Sequence, residues 1–168
     1  DVGVAGSTAT NYNSSNTKAY ITNGAVVKAQ NNVGIIAKTD DKITNLAGAA
    51  GIGISAAGVG ASVTVNVISG DTQAYISGAG TKVSALATGD AQTVDNGKLT
   101  GSVDLAKGLD IAKYGRTDLE AMRGSTAVHG VAVNATATHS VENLVANVGG
   151  GLYAGVAGTQ MLALSKAI

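Results

Sequence analysis

Gly58-Val59-Gly60-Ala61-Ser62-Val63-Thr64-Val65-Asn66-Val67-Ile68, running on to Asp71-Thr72-Gln73-Ala74-Tyr75-Ile76, is the stretch whose reading decides the fold. It opens on small residues and passes into strict alternation. Val63, Val65 and Val67 point one way; Thr64 and Asn66 point the other. A period of two marks a half-buried β-strand. The same stretch occurs earlier in the chain. Gly3 to Ile21 aligns without gaps on Gly58 to Ile76, 55 positions on, and nine of the 19 positions are identical. Ser7 matches Ser62, Asn11 matches Asn66, Thr17 matches Thr72 and Tyr20 matches Tyr75. A partial third copy opens at Gly155-Val156-Ala157-Gly158-Thr159. Repetition on this scale predicts a stacked array of similar units, not an ordinary globule.

The 168 residues include 24 Gly and no Pro, Cys, Phe or Trp; five Tyr are the only aromatics. A core without large rings must be built in thin layers, and Ala, Val, Ile and Leu are the expected material. Eleven basic and eleven acidic residues cancel. With no basic patch, nucleic acid is not an expected partner. Without cysteine there is neither a disulfide framework nor a thiolate metal site. Asp1-Val2-Gly3 has no basic or apolar leader character. The chain starts without Met and its third copy is partial, so the expectation is a piece of a longer protein.

Taken in order, Asn11 to Asn16 reads as a turn cluster and Thr17 to Ile21 as a short strand. Thr22-Asn23-Gly24 is a turn, because Asn-Gly accepts positive φ. Ala25 to Ala29 and Val33 to Lys38 are further strands, separated by Gln30-Asn31-Asn32. Thr39-Asp40-Asp41-Lys42 reads as a polar corner. Strands of four to six residues with polar corners predict a parallel β-helix, or β-solenoid, over residues 1–168. Val83-Ser84-Ala85 answers Val27-Lys28-Ala29, and Asn143-Leu144-Val145 answers Asn45-Leu46-Ala47. In Val131 to Thr138, Val131, Val133, Ala135 and Ala137 are expected inward, and Asn134, Thr136 and Thr138 outward.

Residues 43 to 70 and 143 to 165 carry no charge. They admit an alternative, a Gly-rich membrane-inserting segment. Against that, Gly, Ser, Thr and Asn interrupt both runs, and the first passes into period-two alternation.

Residues 89 to 124 break the pattern and crowd charges between Lys98 and Arg123. Helix formers at Val103 to Lys107 and Asp118 to Arg123 predict an irregular, partly helical insertion. Leu105, Leu109, Ile111, Leu119 and Met122 are expected to pack it on a lateral face. Lys107, Lys113, Arg116 and Arg123 would then face outward as candidate partner contacts.

The Gly-Val-Ala-Gly strands, the Val65-Asn66-Val67 segment, the Asp71-Thr72-Gln73-Ala74-Tyr75-Ile76 unit and Val128-His129-Gly130-Val131-Ala132-Val133-Asn134-Ala135 resemble the leukotoxin-type filamentous adhesins of bacteria, which are similar to filamentous haemagglutinins. The resemblance leaves out roughly residues 89 to 120. It implies a right-handed parallel β-helix in a large secreted protein, displayed at the cell surface or released, with host-cell or surface adhesion as its role. It also implies an outer-membrane transporter as a partner during secretion and a protein or glycan receptor outside. No catalytic residue comes with it.

The residues themselves give little chemistry. His129 and His139 lie on or beside neighbouring strands, and Asp118 and Glu142 complete no zinc-ligand spacing. They read as exposed histidines, and no metal or cofactor is expected. No Gly-x-Ser-x-Gly elbow is present. The competing enzyme reading, a β-helix acting on polysaccharide, needs Asp40, Asp41, Asp90 and Asp95 to converge. Asn11 and Asn66 occupy matching repeat positions and are expected to bond in a ladder. Open strand edges at both ends predict end-to-end self-association.

Overall fold

The computed structural model describes residues 2–54, 56–100 and 122–167, the last four of these by backbone alone. All its regular elements are strands. Four are long: β1 (Gly3–Ile21), β3 (Val33–Gly53), β4 (Ala57–Ile76) and β8 (Val131–Gly151). β9 (Ala154–Ala167) is somewhat shorter. β2 (Val26–Ala29) and β5 (Lys82–Ala85) are short, and β6 (Gln92–Leu99) and β7 (Arg123–Val128) form a pair of their own.

The order β1-β4-β9 makes one parallel sheet and β3-β8 a second; β2 pairs with β5, also in parallel. The two larger sheets face each other across the interior. The chain runs out along the first sheet, turns through the short strand and returns along the second. Each strand pairs with its counterpart on the next pass. The register of β1 on β4 is the sequence repeat itself, from Gly3 against Gly58 to Ile21 against Ile76. Gly155 lies against Gly58, Asn143 against Asn45 and Val83 against Val27. Like residues stack on like because one alignment sets sequence and pairing together.

The corners are built from side chains suited to them. Asn23 and Gly24 have φ of 61° and 74°, with the Ala25 amide donating to the Thr22 carbonyl at 3.3 Å. This is the expected Asn-Gly turn. At the next corner, Asn32 Nδ2 donates to the Asp90 carbonyl at 2.7 Å, and its Oδ1 accepts from the Gly130 amide at 2.7 Å.

Three expectations are corrected. Asn11 to Asn16 is no turn and Thr39 to Lys42 no corner: β1 and β3 run straight through both. Asn, Ser and Asp are tolerated in mid-strand here because their inward members bond to one another. The interior is not built of Ala, Val, Ile and Leu alone. Thr64 and Asn66 are 0% exposed and Ser62 2%, whereas Val63, on the opposite side of the same strand, is 37% exposed. Along β4 the alternation is therefore inverted, polar side in. The core does keep Ile35, Ile43 and Ile68, which lie toward the end remote from the β3–β4 link.

The described ends of the 89–124 insertion are strands, not helix. β6 and β7 pair antiparallel, with Gln92 against Val128 and Asp95 against Ser125. Val103 to Lys107, the first part of Asp118 to Arg123 and the apolar residues Leu105, Leu109, Ile111 and Leu119 lie outside the described residues; Met122 is a half-buried turn residue and Arg123 opens a strand, not a helical turn. The pair covers the outer side of the second sheet. Val94 and Ala132 are each 7% exposed, and Asn134 Nδ2 donates to the Asp95 carbonyl at 2.8 Å. Val133 stacks on Ile35 on the inward side as expected, yet it is 48% exposed on the last strand of its sheet. The covered side of β8 is that of Ala132 and Asn134.

Near the β3–β4 link the two sheets converge until backbone meets backbone. Gly51 and Gly149 line one side and Gly58 and Gly155 the other. A Cβ on Gly58 would overlap the carbonyl oxygens of Gly51 and Gly150. Gly58→Ala must push the sheets apart, so it should lower the urea midpoint by more than Gly130→Ala. Gly130 has open space around it but a φ of 88°, so its cost is backbone strain alone. Equal midpoints for the two variants would contradict the close approach.

Candidate functional site

Two clusters of polar side chains organise the molecule, one inside and one on its flank. The inner cluster begins with four asparagines. Asn11 and Asn66 come from neighbouring strands of the first sheet, Asn45 and Asn143 from the second. Asn11 Nδ2 donates to Asn66 Oδ1 at 3.3 Å, and Asn45 Nδ2 donates to Asn143 Oδ1 at 2.9 Å. The first is the in-sheet rung expected from the repeat, and the second joins two residues that the sequence matched without a bond. Asn66 Nδ2 donates across the interior to Asn143 Oδ1 at 2.9 Å, and Asn11 and Asn66 each bond to Asn45. An amide carries two donors and an acceptor oxygen, so it can serve a rung and a cross-bond together.

Similar layers lie on both sides. Toward the glycines, Ser7 and Ser62 hydroxyls are 2.8 Å apart, and Ser62 donates to Asn147. Asn147 also accepts from the Ala49 amide at 3.1 Å and donates to Thr159 Oγ1 at 2.8 Å. Toward the other end, Asp41 accepts from Asn13 Nδ2 at 2.8 Å. Beyond it, Thr72 donates to Thr39 and Thr39 to Thr17, both at 2.8 Å. A buried polar group is costly only while unpaired, and these layers pair nearly all of theirs. The Thr64 hydroxyl is an exception, enclosed without a hydrogen-bond partner.

His139 corrects the expectation of exposed histidines. It stacks on Asp41, its Nδ1 3.1 Å from Asp41 Oδ2 but not aligned as a hydrogen bond. His129 is exposed as expected. No group of three or more acidic or histidine ligands suited to a metal ion occurs among the described residues.

The flank cluster centres on Arg123, which sequence reasoning turned outward. Its side chain is only 8% exposed and lies against the sheet. Its Nη1 donates to Asp95 Oδ2 at 2.5 Å, and its Nη2 donates to the Thr39 carbonyl at 3.1 Å and to Asp40. One guanidinium thus fastens β7 to β6 and to the outer side of β3. Burial opposes ionisation of Asp95, but Arg123 and the Gly97 amide outweigh it and hold its carboxyl below the usual aspartate value. Burial likewise opposes the charge on Arg123, yet Asp95 and Asp40 raise its pKa. Lys107, Lys113 and Arg116 lie outside the described residues.

The four carboxylates of the enzyme reading do not converge. Asp40 and Asp95 share Arg123. Asp41 faces the interior from the other side of β3, as adjacent strand residues must. Asp90 sits at an exposed corner, contributing its carbonyl to Asn32. Sequence reasoning missed Asn147, the Asp41–His139 pair and the role of Arg123. Only the Asn45/Asn143 repeat pointed toward the inner network from the second sheet.

Comparison with models of protein families, with curated proteins and with solved structures found no match.

Two outcomes test these clusters. Asn66→Ala removes one hydrogen bond from each of three partner amides and should cost about 1–3 kcal/mol in urea unfolding. Thr64→Val keeps the shape and removes an unpaired hydroxyl, so it should be neutral or stabilising. For the flank, a lowered folded-state pKa means stability present above the unfolded aspartate value, about 3.9, and lost as pH falls through the lower folded value. Protease sensitivity of the 92–128 segment should therefore rise below about pH 4. Asp95→Asn should give the sensitive form already at pH 7 and flatten that dependence.

Proposed function

We propose that this chain is a non-catalytic segment of a right-handed parallel β-helix, or β-solenoid, in a secreted bacterial filamentous adhesin or toxin-like surface protein. The observation that carries the reading is the register. Every long strand lies on its sequence counterpart, and side-chain rungs tie one pass to the next. A structure stabilised by contacts between like neighbours lengthens by repetition. It makes a rod that can hold binding elements away from a cell. The right hand is the favoured one for a crossover returning to the same parallel sheet.

The resemblance to leukotoxin-type adhesins supplies the rest: transport across the outer membrane, display at the surface and contact with a host-cell or surface receptor. In this reading the 89–124 segment is a lateral excursion held by Arg123. Of its cations, Lys107, Lys113 and Arg116 stay the candidate contacts. End-to-end association belongs to the same proposal. β4 accepts β1 on one edge and β9 on the other with Gly58 against glycine both times. The outer edges of β1 and β9 therefore offer equivalent pairing sites.

Antibodies against the folded chain should label intact producing cells, or the culture fluid, and block their attachment to host-cell monolayers. Labelling that appears only after the cells are broken open would contradict the reading. Turnover of a polysaccharide by the purified chain would favour the enzyme instead.

A further inference from the structure

The two uncharged runs of sequence come together at one end of the molecule. Along β3 the last charge before the β3–β4 link is Lys42, and along β4 the first after it is Asp71. Between these, Leu46 and Ile52 point outward from the second sheet at 73% and 68% exposure. Val63 stands on the outer side of the first sheet, on the same side of β4 as Val59 and Val65. At the tip itself, Ile54 is 86% exposed and Tyr153 83%. The Tyr153 amide donates to the carbonyl of Ala56, two residues beyond Ile54, at 3.0 Å, which puts Ile54 and Tyr153 at the same end of the molecule.

A sheet that faces water on its outer side alternates apolar-in and polar-out. Here the order is reversed: Asn45, Ser62, Thr64 and Asn66 are inside, and the branched aliphatics are outside. Strands that meet lipid have that reversed order. This largely apolar surface continues over both faces and round the tip, with Thr8, Thr10 and Gln160 as uncharged polar members on the first sheet. A second copy of this chain laid on either face would leave the other face and the tip in water; a fluid apolar medium covers all three. From Thr44 to Ile54 the uncharged length is the number of strand residues, roughly 9–11, that a hydrocarbon layer accommodates.

We propose that this end is a docking edge for a lipid bilayer, entered tip first through Ile54 and Tyr153, with the charged end left in water. Among the described residues the edge carries no charge beyond Glu142, which lies against Thr44 at its rim, so attraction to headgroups plays no part. Binding should be equal on zwitterionic and anionic membranes and insensitive to salt.

The chain has no cysteine, so single-site labelling is clean. The full chain carrying Ile54→Cys, labelled with a polarity-sensitive dye, is mixed with phosphatidylcholine vesicles, with and without phosphatidylglycerol, at 0.05 and 0.5 M salt. The emission should shift to the blue equally in all four, while the same dye at Lys42→Cys stays unchanged. Ile54→Asp combined with Tyr153→Asp touches only exposed positions. It should keep the β-type circular dichroism and bind vesicles more than tenfold more weakly. Absence of any vesicle-induced shift overturns the proposal. So does a shift that needs no vesicles and grows with protein concentration, which would assign the surface to a second copy. Binding that vanishes at high salt or without anionic lipid also overturns it.

Discussion

The structure depends on one constraint: most polar groups turned inward find a partner on the neighbouring strand or the facing sheet, and that pairing holds the sheets in place. Asn66 shows how it is met. With no exposed surface, it joins Asn11, Asn45 and Asn143 in one connected set of amides. Such bonds are directional, unlike apolar contact, and they lose all their value when one strand slips. A slip of one residue would turn Asn66 outward and Val65 inward. The interior thus fixes register more sharply than valines could, and register is what makes the 55-residue repeat a structural unit.

The glycine rows impose a second constraint that grows out of the first. Small polar side chains hold the sheets apart in the middle; toward the β3–β4 link Gly51, Gly58, Gly149 and Gly155 remove even those, and the sheets close on their backbones. Ile35, Ile43 and Ile68 set the wider spacing toward the far end. The interior therefore tapers. Aliphatic residues excluded from the narrow end by lack of room appear on its outside, where Leu46, Ile52 and Val63 lie. The uncharged tip is a consequence of this taper, and the Arg123 clamp on the far flank keeps the charges of β3 and β6 together.

Much of this was legible from the residues, and the reasons for the rest are physical. Repeated residues declare pairing directly, so Gly3 on Gly58, Asn45 on Asn143 and the Asn11–Asn66 rung could all be read. Asn23-Gly24 announced its turn because few residues accept positive φ. The long strands could not be read in the same way. Asn11 to Asn16 has the composition of a turn, and only partners from other strands, Asn45 and Asp41 among them, make it a strand. Asp40 and Asp41 looked like a corner for the same reason, although one binds Arg123 and the other faces Asn13. Alternation gave the two sides of β4 correctly but not which was inside, since that depends on the facing sheet. His139 and Arg123 depend on contacts from far along the chain that no local pattern encodes.

Inverted polarity is the account's central claim, and thiol accessibility along β4 measures it most directly. Introduced one at a time into a chain that has no cysteine, Ser62→Cys and Thr64→Cys should resist a water-soluble maleimide until the protein is unfolded. Val63→Cys and Val65→Cys should react within the dead time of the experiment. Rapid labelling at 62 and 64 with protection at 63 and 65 would place the valines in the core and contradict the structure described.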